Sequence, residues 1–502
     1  MRFAIKRWLF LLHRWLGIGL CVLLAAWFFS GAVMLYVGYP KLTESERLQH
    51  LPALPAQAKL LGPQQALQRA GLRGPLADLR LSLASQGQPS YLVTLQGERK
   101  TTAVDASTGA VLQMVGAEQA LASAQTFTGA PLAALHYQGT VQEDAFTHSR
   151  GLDAHRPLHV VAVDGEPGLR LYLSGRTAEV VRDATRRERG WNYVGAWLHW
   201  LYMFRGNAAN PYWGDVVNTL SVIGLVLAIS GTVVGIMRWR FAKPYRSGRR
   251  TPYPSRSMRW HHISGLLFAA VTITWLFSGL MSMNPLRIFD SKQTLIDVRQ
   301  WPGTSLQWVA DSHAATPAQL LAAAGVPVVE LRWQPVLGRL QVLATQSNGQ
   351  HAVLDAQNAQ RLQYQPADLI TAAQKLSTSP IARQELLNSY DFYYYGRDSH
   401  SMMGSAQPPL PVLRVQWDDP ARTWLHIDPS TGQLLGVQDQ RKRAQRWLFA
   451  LLHSWDWLPL ITRRPVWDAV MIGLSAGGLL LSATGIMVGW RRLVRRKVAP
   501  RP

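Results

Sequence analysis

The chain has 502 residues, with 52 Lys and Arg against 30 Asp and Glu, for a formal charge of +22. Its length allows several domains, and a mean hydropathy near zero conceals two kinds of sequence, long apolar runs and polar stretches of ordinary soluble composition. A single cysteine, Cys21, excludes an intrachain disulfide, a cysteine-ligated iron–sulfur cluster and a C-x-x-C-H attachment for c-type haem.

The first apolar segment, 8–37, follows Arg2, Lys6 and Arg7. The run is too long for the hydrophobic region of a cleaved signal, and Val37-Gly38-Tyr39 is not a small-x-small site, so the segment reads as a retained span. A polar region over 40–190 comes next. Gly62 to Gly71 predicts a helix with an apolar face, and Leu79–Ala84, Tyr91–Leu95 and Thr101–Val104 predict strands broken by turn residues. Residues 191–205, rich in Trp and Tyr, predict an interfacial helix. A second span covers 213–238, a basic link 239–259 and a third span 260–284. The second polar region, 286–440, repeats the order of the first, with a helix over Thr316–Gly325, strands around Leu331, Leu340 and Val353, and a hairpin of Pro411–Trp417 with Thr423–Ile427. An interfacial helix at 443–457, a fourth span at 466–490 and a basic tail at 491–502 complete the chain.

Each apolar segment exceeds the roughly 20 residues that a spanning helix needs. Between Arg238 and Arg259 there are eight Lys and Arg and no acid, and the tail is equally free of acids. Short basic segments stay in the cytoplasm, which puts both termini and the link on that side and the two polar regions on the other. The expected fold class is thus a membrane α-helical bundle of four transmembrane helices with an internal duplication, bearing α+β domains on the far side. Because the basic residues flank spans, they point to topology and anionic lipid, and no nucleic acid is expected.

The duplication carries the chemistry. His13-Arg14-Trp15-Leu16-Gly17 runs into Trp27-Phe28-Phe29-Ser30-Gly31, and His261-His262-Ile263-Ser264-Gly265 runs into Trp275-Leu276-Phe277-Ser278-Gly279. A constant spacing of 248 residues superposes them. The second and fourth spans match at a spacing of 254, which places Gly231 on Gly485, Gly235 on Gly489 and His199 on His453. Both halves start on the same side, so the repeat is parallel, with a pseudo-twofold along the membrane normal. Ionisable residues inside a membrane are costly and mark function. His13 and His261 are therefore expected to face each other as axial ligands of one haem near the cytoplasmic face. His199 and His453 are expected to do the same for a second haem on the far side. Gly17 and Gly265, each one turn after its histidine, would leave room for a flat macrocycle. Arg14 and Arg259 could neutralise propionates on the inner side, and Arg205, Arg463 and Arg464 on the outer. His262 points about 100° away from His261 and is the ambiguous neighbour. The alternative for each histidine is an interfacial side chain bonded to water, lipid or backbone.

The remaining residues suggest less. His136, His148, His155 and His159 fall at irregular spacing and read as loop histidines rather than a metal site, and His426 alternates within a strand without a partner. Tyr390 to Arg397 reads as a structural corner on the hairpin at 411–427, or as a pocket wall. No hydrolase or phosphate-loop motif is present. The link is too short to fold a nucleotide domain, so a quinol or a partner reductase must donate electrons.

The H-R-W-L-G opening, the S-G end of each opening helix and the L-H preceding a G-x-x-x-G span resemble the PepSY-associated transmembrane proteins of bacteria. So does R-V-x-W-D-D-P-x-x-T-W-L-H-I-D-P-x-T-G within Asp391–Gly432. The resemblance covers nearly the whole chain. It implies PepSY-like periplasmic domains, a place in the bacterial inner membrane, haem b in the bundle and reduction of ferric siderophores to release Fe(II). The family's haem histidines fall on His13, His261, His199 and His453. The first half departs from the pattern, since Gly168–Ser174 lacks the Asp-Pro of its counterpart. The family name also implies an alternative, a membrane-anchored module that binds a peptide or protein without redox chemistry.

Overall fold

The computed structural model describes residues 2–165, 167–291, 296–301, 303, 306, 314–396 and 407–497. Three helices are long and apolar enough to cross a bilayer unaided: Arg2–Met34, Trp213–Arg238 and Val466–Lys497. The third expected span is two helices, Arg256–Leu267 and Ala269–Ser282, bent by 64° at Phe268. A Ser-Gly pair, a usual place for a helix to kink, lies just before the break. The Ser264 hydroxyl donates back to the Trp260 carbonyl at 2.7 Å, which loosens the helical ladder. Counted as one broken span, the pair brings the crossings to four. Trp8, Val22, Phe29, Val226, Ile229 and Leu480 are exposed on these helices, an apolar surface that requires a lipid bilayer.

The helix Arg2–Met34 packs along Val466–Lys497 and Trp213–Arg238, and the bent pair packs on the same two helices. The opening helices of the two halves therefore lie across the bundle from each other. Leu24, Phe28, Leu227 and Leu276 fill the centre. Two adjacent glycines on the last helix each admit one aromatic ring. A Cβ at Gly477 would lie 2.2 Å from the Phe268 ring, and one at Gly478 2.2 Å from the Phe28 ring.

The polar regions form three antiparallel sheets on one side of the bundle, here termed the sheet side, opposite the link at 239–255. Strands Leu76–Ser85, Gln88–Leu95 and Thr101–Asp105 of the first half join Glu330–Val336, Arg339–Thr345 and His351–Asp355 of the second in one six-stranded sheet. The join is edge to edge, with Leu79 opposite Trp333, Arg80 opposite Arg332 and Leu81 opposite Leu331. Each half alone would leave a bare strand edge, and the duplication covers one with the other. The helices expected at Gly62–Gly71 and Thr316–Gly325 run over Pro63–Arg69 and Pro317–Ala324, and the core they share with the sheet draws on both halves. Each half adds a four-stranded sheet in simple chain order, Leu135–Ala184 in the first and Ile381–Gln438 in the second.

A buried ionic knot locks these pieces together. Arg47 reaches Glu330 at 2.7 Å, and Arg80 reaches Glu330 at 3.5 Å, Glu179 at 3.4 Å and Asp78 at 3.1 Å. Burial alone would raise the Glu179 carboxyl, but Arg80, His155 and Arg47 hold it below its ordinary value. The cost of removing one partner from such a knot is that of stranding the others. Glu330→Ala, which leaves Arg47 and Arg80 facing the gap, should destabilise the sheet side by about 3–5 kcal/mol, seen as earlier loss of sheet signal on heating. An unchanged melting profile would contradict the knot's role.

Candidate functional site

Each half supplies two half-buried histidines, and the bundle brings equivalent ones together. The ring centroids of His13 and His261 are 6.2 Å apart with planes at 29°, and those of His199 and His453 are 6.1 Å apart at 67°. His13 and Ser30, the latter beside the second pair, lie 17 residues apart on one helix, which sets the pairs about 25 Å apart along it.

All four rings are held through Nδ1. His13 donates to the Leu227 carbonyl at 3.3 Å, and His261 to the Leu481 carbonyl at 3.2 Å. Thr484 Oγ1 stands 3.3 Å from the same His261 nitrogen. The Nδ1 atoms of His199 and His453 each lie 3.0 Å from a serine hydroxyl, Ser30 and Ser278 respectively. The carbonyl and serine contacts recur between the halves at the repeat spacing, whereas that of Thr484 belongs to the second half. The carbonyl bonds make Nδ1 the protonated nitrogen of His13 and His261, while a serine hydroxyl can either accept from or donate to its ring.

A further set of glycines makes space for the rings themselves. A Cβ on Gly231 would lie 2.5 Å from His13 Cε1, and one on Gly485 3.3 Å from His261 Cε1. At the other end, Gly31 would meet His199 Cε1 at 3.3 Å and Gly279 would meet His453 Cε1 at 3.6 Å. Gly17 and Gly265 instead face Leu227 and Leu481 at ordinary contact distances of 3.8 and 3.5 Å. Their positions serve helix packing, next to the carbonyls that anchor His13 and His261. The useful signal was in the repeat itself, because Gly231, Gly485, Gly31 and Gly279 all belong to the superposed motifs.

A cavity of about 450 Å³ opens at the second pair, lined by His199, His453, Trp27, Trp275, Trp213 and Phe449 among others. The turns carrying these histidines share one design. Each has a π-helical stretch, Tyr193–Trp197 or Arg446–Leu451, and ends at a left-handed residue, Leu201 or Trp455. An indole from the next helix bonds the turn's end, Trp213 to the Trp200 carbonyl at 2.7 Å and Trp467 to that of Ser454 at 3.1 Å. Of the interfacial helices expected at 191–205 and 443–457, residues 191–199 and 443–454 are helical, with this π-helical stretch inside each.

His262 is occupied elsewhere. Its Nδ1 meets Thr251 Oγ1 at 2.8 Å, its Nε2 donates to the Gly235 carbonyl at 2.9 Å, and Trp239 and Tyr253 pack edgewise on its ring. With both nitrogens engaged it ties the link to the second long helix, and His261 is the residue that faces His13. Arg14 is exposed, and Arg259 is half-buried with an unpartnered Nε. Arg205 stacks over Trp213 at 4.7 Å beside the cavity, while Arg464 is paired with Asp468.

The four histidines between 136 and 159 are individually engaged. His136 pairs with Asp164, His148 with Glu143, His159 with Tyr137 and His155 with Ser174. No cluster of three or more His, Cys, Asp or Glu suited to a metal ion occurs among the described residues. The expectation that His426 lacks a partner is corrected. Arg414 donates from Nε to His426 Nε2 at 2.8 Å and grips Asp391 with both terminal nitrogens, while Tyr394 stacks on the imidazole at 4.9 Å. The segment from Tyr390 thus forms a corner on the hairpin. It also reaches the turn carrying His453, through Arg446 to the Phe392 carbonyl and Trp447 to the Tyr393 hydroxyl. Arg397 lies outside the described residues.

These features define a membrane protein with a duplicated, histidine-bearing helical bundle and antiparallel sheets on one side. The chain belongs to the family of the PepSY-associated TM region, whose family model matches residues 10–389. That match contains His13, His199 and His261 and stops before His453. No curated protein matches the chain.

Two predictions follow from this geometry. Gly231→Ala puts a methyl group into the His13 ring and should cost about 1–3 kcal/mol by overpacking, whereas Gly19→Ala, with open space around it, should leave thermal stability in detergent unchanged. Equal melting temperatures for the two variants would contradict the close approach. Burial, reinforced by Arg414, lowers the His426 imidazole to about 4. The unfolded chain, with a histidine near 6.5, then binds more protons between those values. Stability of the sheet side should therefore fall as pH drops from 6.5 towards 4, with a shallower slope in His426→Phe. Identical slopes would contradict a neutral buried imidazole.

Proposed function

We propose that this chain is a bacterial inner-membrane electron-transfer protein that holds two haem b groups, one between His13 and His261 and one between His199 and His453. Electrons would pass from the link side, read as cytoplasmic, to the sheet side, read as periplasmic, and there reduce a ferric siderophore to release Fe(II). The donor would be a quinol or a partner reductase.

The observation that supports this most is the spacing of the paired rings. Two imidazoles bound end-on to one iron, with metal–nitrogen bonds of about 2.0 Å, hold their centroids about 6 Å apart. Both pairs have that separation. Two protein ligands are too few for a bare zinc ion but suffice where a macrocycle fills the remaining positions. The lack of other cysteines favours non-covalent, b-type attachment.

Bound haem supplies one-electron redox chemistry. The protein's own tasks are to orient four imidazoles, keep Nε2 as the coordinating nitrogen and exclude water with Leu24, Phe28, Leu227 and Leu276 between the pairs. Basic residues on the link and near both ends support the orientation, because such segments resist translocation. Siderophore reduction rests on the family resemblance and on the placing of the sheets.

A visible spectrum of detergent-purified protein should show a Soret band that shifts and sharpens on dithionite, with two haems per chain. His13→Ala or His261→Ala should remove one haem, and His199→Ala or His453→Ala the other, while His262→Leu retains two. A colourless preparation, or four single variants that all keep two haems, would overturn the redox reading and leave a membrane-anchored binding module.

A further inference from the structure

The Trp-x-Phe-Ser-Gly ending of each opening helix has an assignable part in the outer histidine pair. We infer that Ser30 and Ser278 are positioning residues that set the donor strength of His199 and His453 and thereby the redox potential of the outer haem. This inference rests on the electron-transfer reading above.

Both serines are fully buried, at 0% exposure. Each hydroxyl proton has an assigned acceptor on its own helix. Ser30 Oγ donates to the Trp27 carbonyl at 3.2 Å and Ser278 Oγ to the Trp275 carbonyl at 3.1 Å. With Nε2 given to iron in the electron-transfer reading, Nδ1 carries the ring proton and donates to Oγ at 3.0 Å, and the hydroxyl's one proton is left for the carbonyl. The glycine after each serine removes the side chain that would crowd the same ring, with Cε1 3.3 and 3.6 Å from where a Cβ would stand. The motif is therefore a cradle made of an acceptor and a gap, and it occurs twice.

An acceptor at Nδ1–H pushes electron density onto the ring and makes Nε2 a stronger ligand. Stronger donation favours ferric over ferrous iron and holds the potential down. The inner pair obtains its acceptors differently, from the Leu227 and Leu481 carbonyls. The serines thus provide a means of adjusting the outer centre alone, by side-chain substitution.

The test is a spectroelectrochemical titration of the full-length, haem-loaded protein. Ser30→Ala and Ser278→Ala should each move one of the two midpoint potentials to a more positive value, the double variant further, with the other midpoint fixed. Ser→Thr at either position, which keeps a hydroxyl, should restore the original value. Ser→Cys, close in shape but a weak acceptor, should reproduce the shift of Ser→Ala and covers the case in which alanine loosens the packing. Loss of the outer haem in Ser→Ala with retention in Ser→Thr would also support the cradle. Two bound haems with both midpoints unmoved in the Ala and Cys variants would overturn this inference and leave the electron-transfer reading standing. Absence of haem from the unmodified protein would instead sink that reading itself.

Discussion

In the proposed haem reading the structure turns on a constraint of valence geometry: a metal centre gripped from two sides needs one imidazole from each side, at one height and a fixed separation. A single helical hairpin cannot supply two such gripping points at both ends of a bundle. Duplication can. Each half contributes one histidine from its opening helix and one from the turn before its closing helix, and the pseudo-twofold carries each onto its counterpart. That operation sets His13 and His261 6.2 Å apart and His199 and His453 6.1 Å apart. The groups that hold and clear the rings obey the same operation, since Leu227 recurs as Leu481, Ser30 as Ser278, Gly231 as Gly485 and Gly31 as Gly279.

Symmetry is kept where the rings are held and relaxed elsewhere. Trp27 donates its indole N–H to the His199 carbonyl at 3.0 Å, whereas the corresponding Trp275 nitrogen is buried without a partner. Position 14 of the first half is an exposed arginine, while its equivalent, His262, is buried and doubly bonded. On the sheet side the second half has the Arg414, Asp391 and His426 cluster, and Tyr172 stands where His426 would repeat, bonded to Asp144. The halves have diverged away from the rings, most visibly where the sheet side meets the turn bearing His453.

Much of this was legible in the sequence because the helices repeat at constant spacing. Within a helix, a fixed spacing preserves both height and face, so superposed histidines and glycines at 248 and 254 residues determine which side chains can meet. The strands near Leu79, Tyr91, Leu331 and Leu340 were legible from alternation and turn residues. Other features lay beyond that logic. The six-stranded sheet requires pairing between residues 79–82 and 330–333, a contact that local pattern does not encode. The bend at Phe268 falls beside a Ser-Gly pair, and no proline announces it. The glycines that make room for the imidazoles sit on different helices from the histidines they serve. Spacing along the histidine's own helix does not reveal them.

The central claim is that opposed imidazoles from the two halves share an iron at each end of the bundle. Electron paramagnetic resonance of the oxidised, full-length protein addresses it most directly, because the spectrum reports the axial ligands of the iron. The account predicts low-spin ferric signals from two centres, each with two imidazole ligands. A high-spin signal as the main species, or no haem iron in the folded protein, would contradict it.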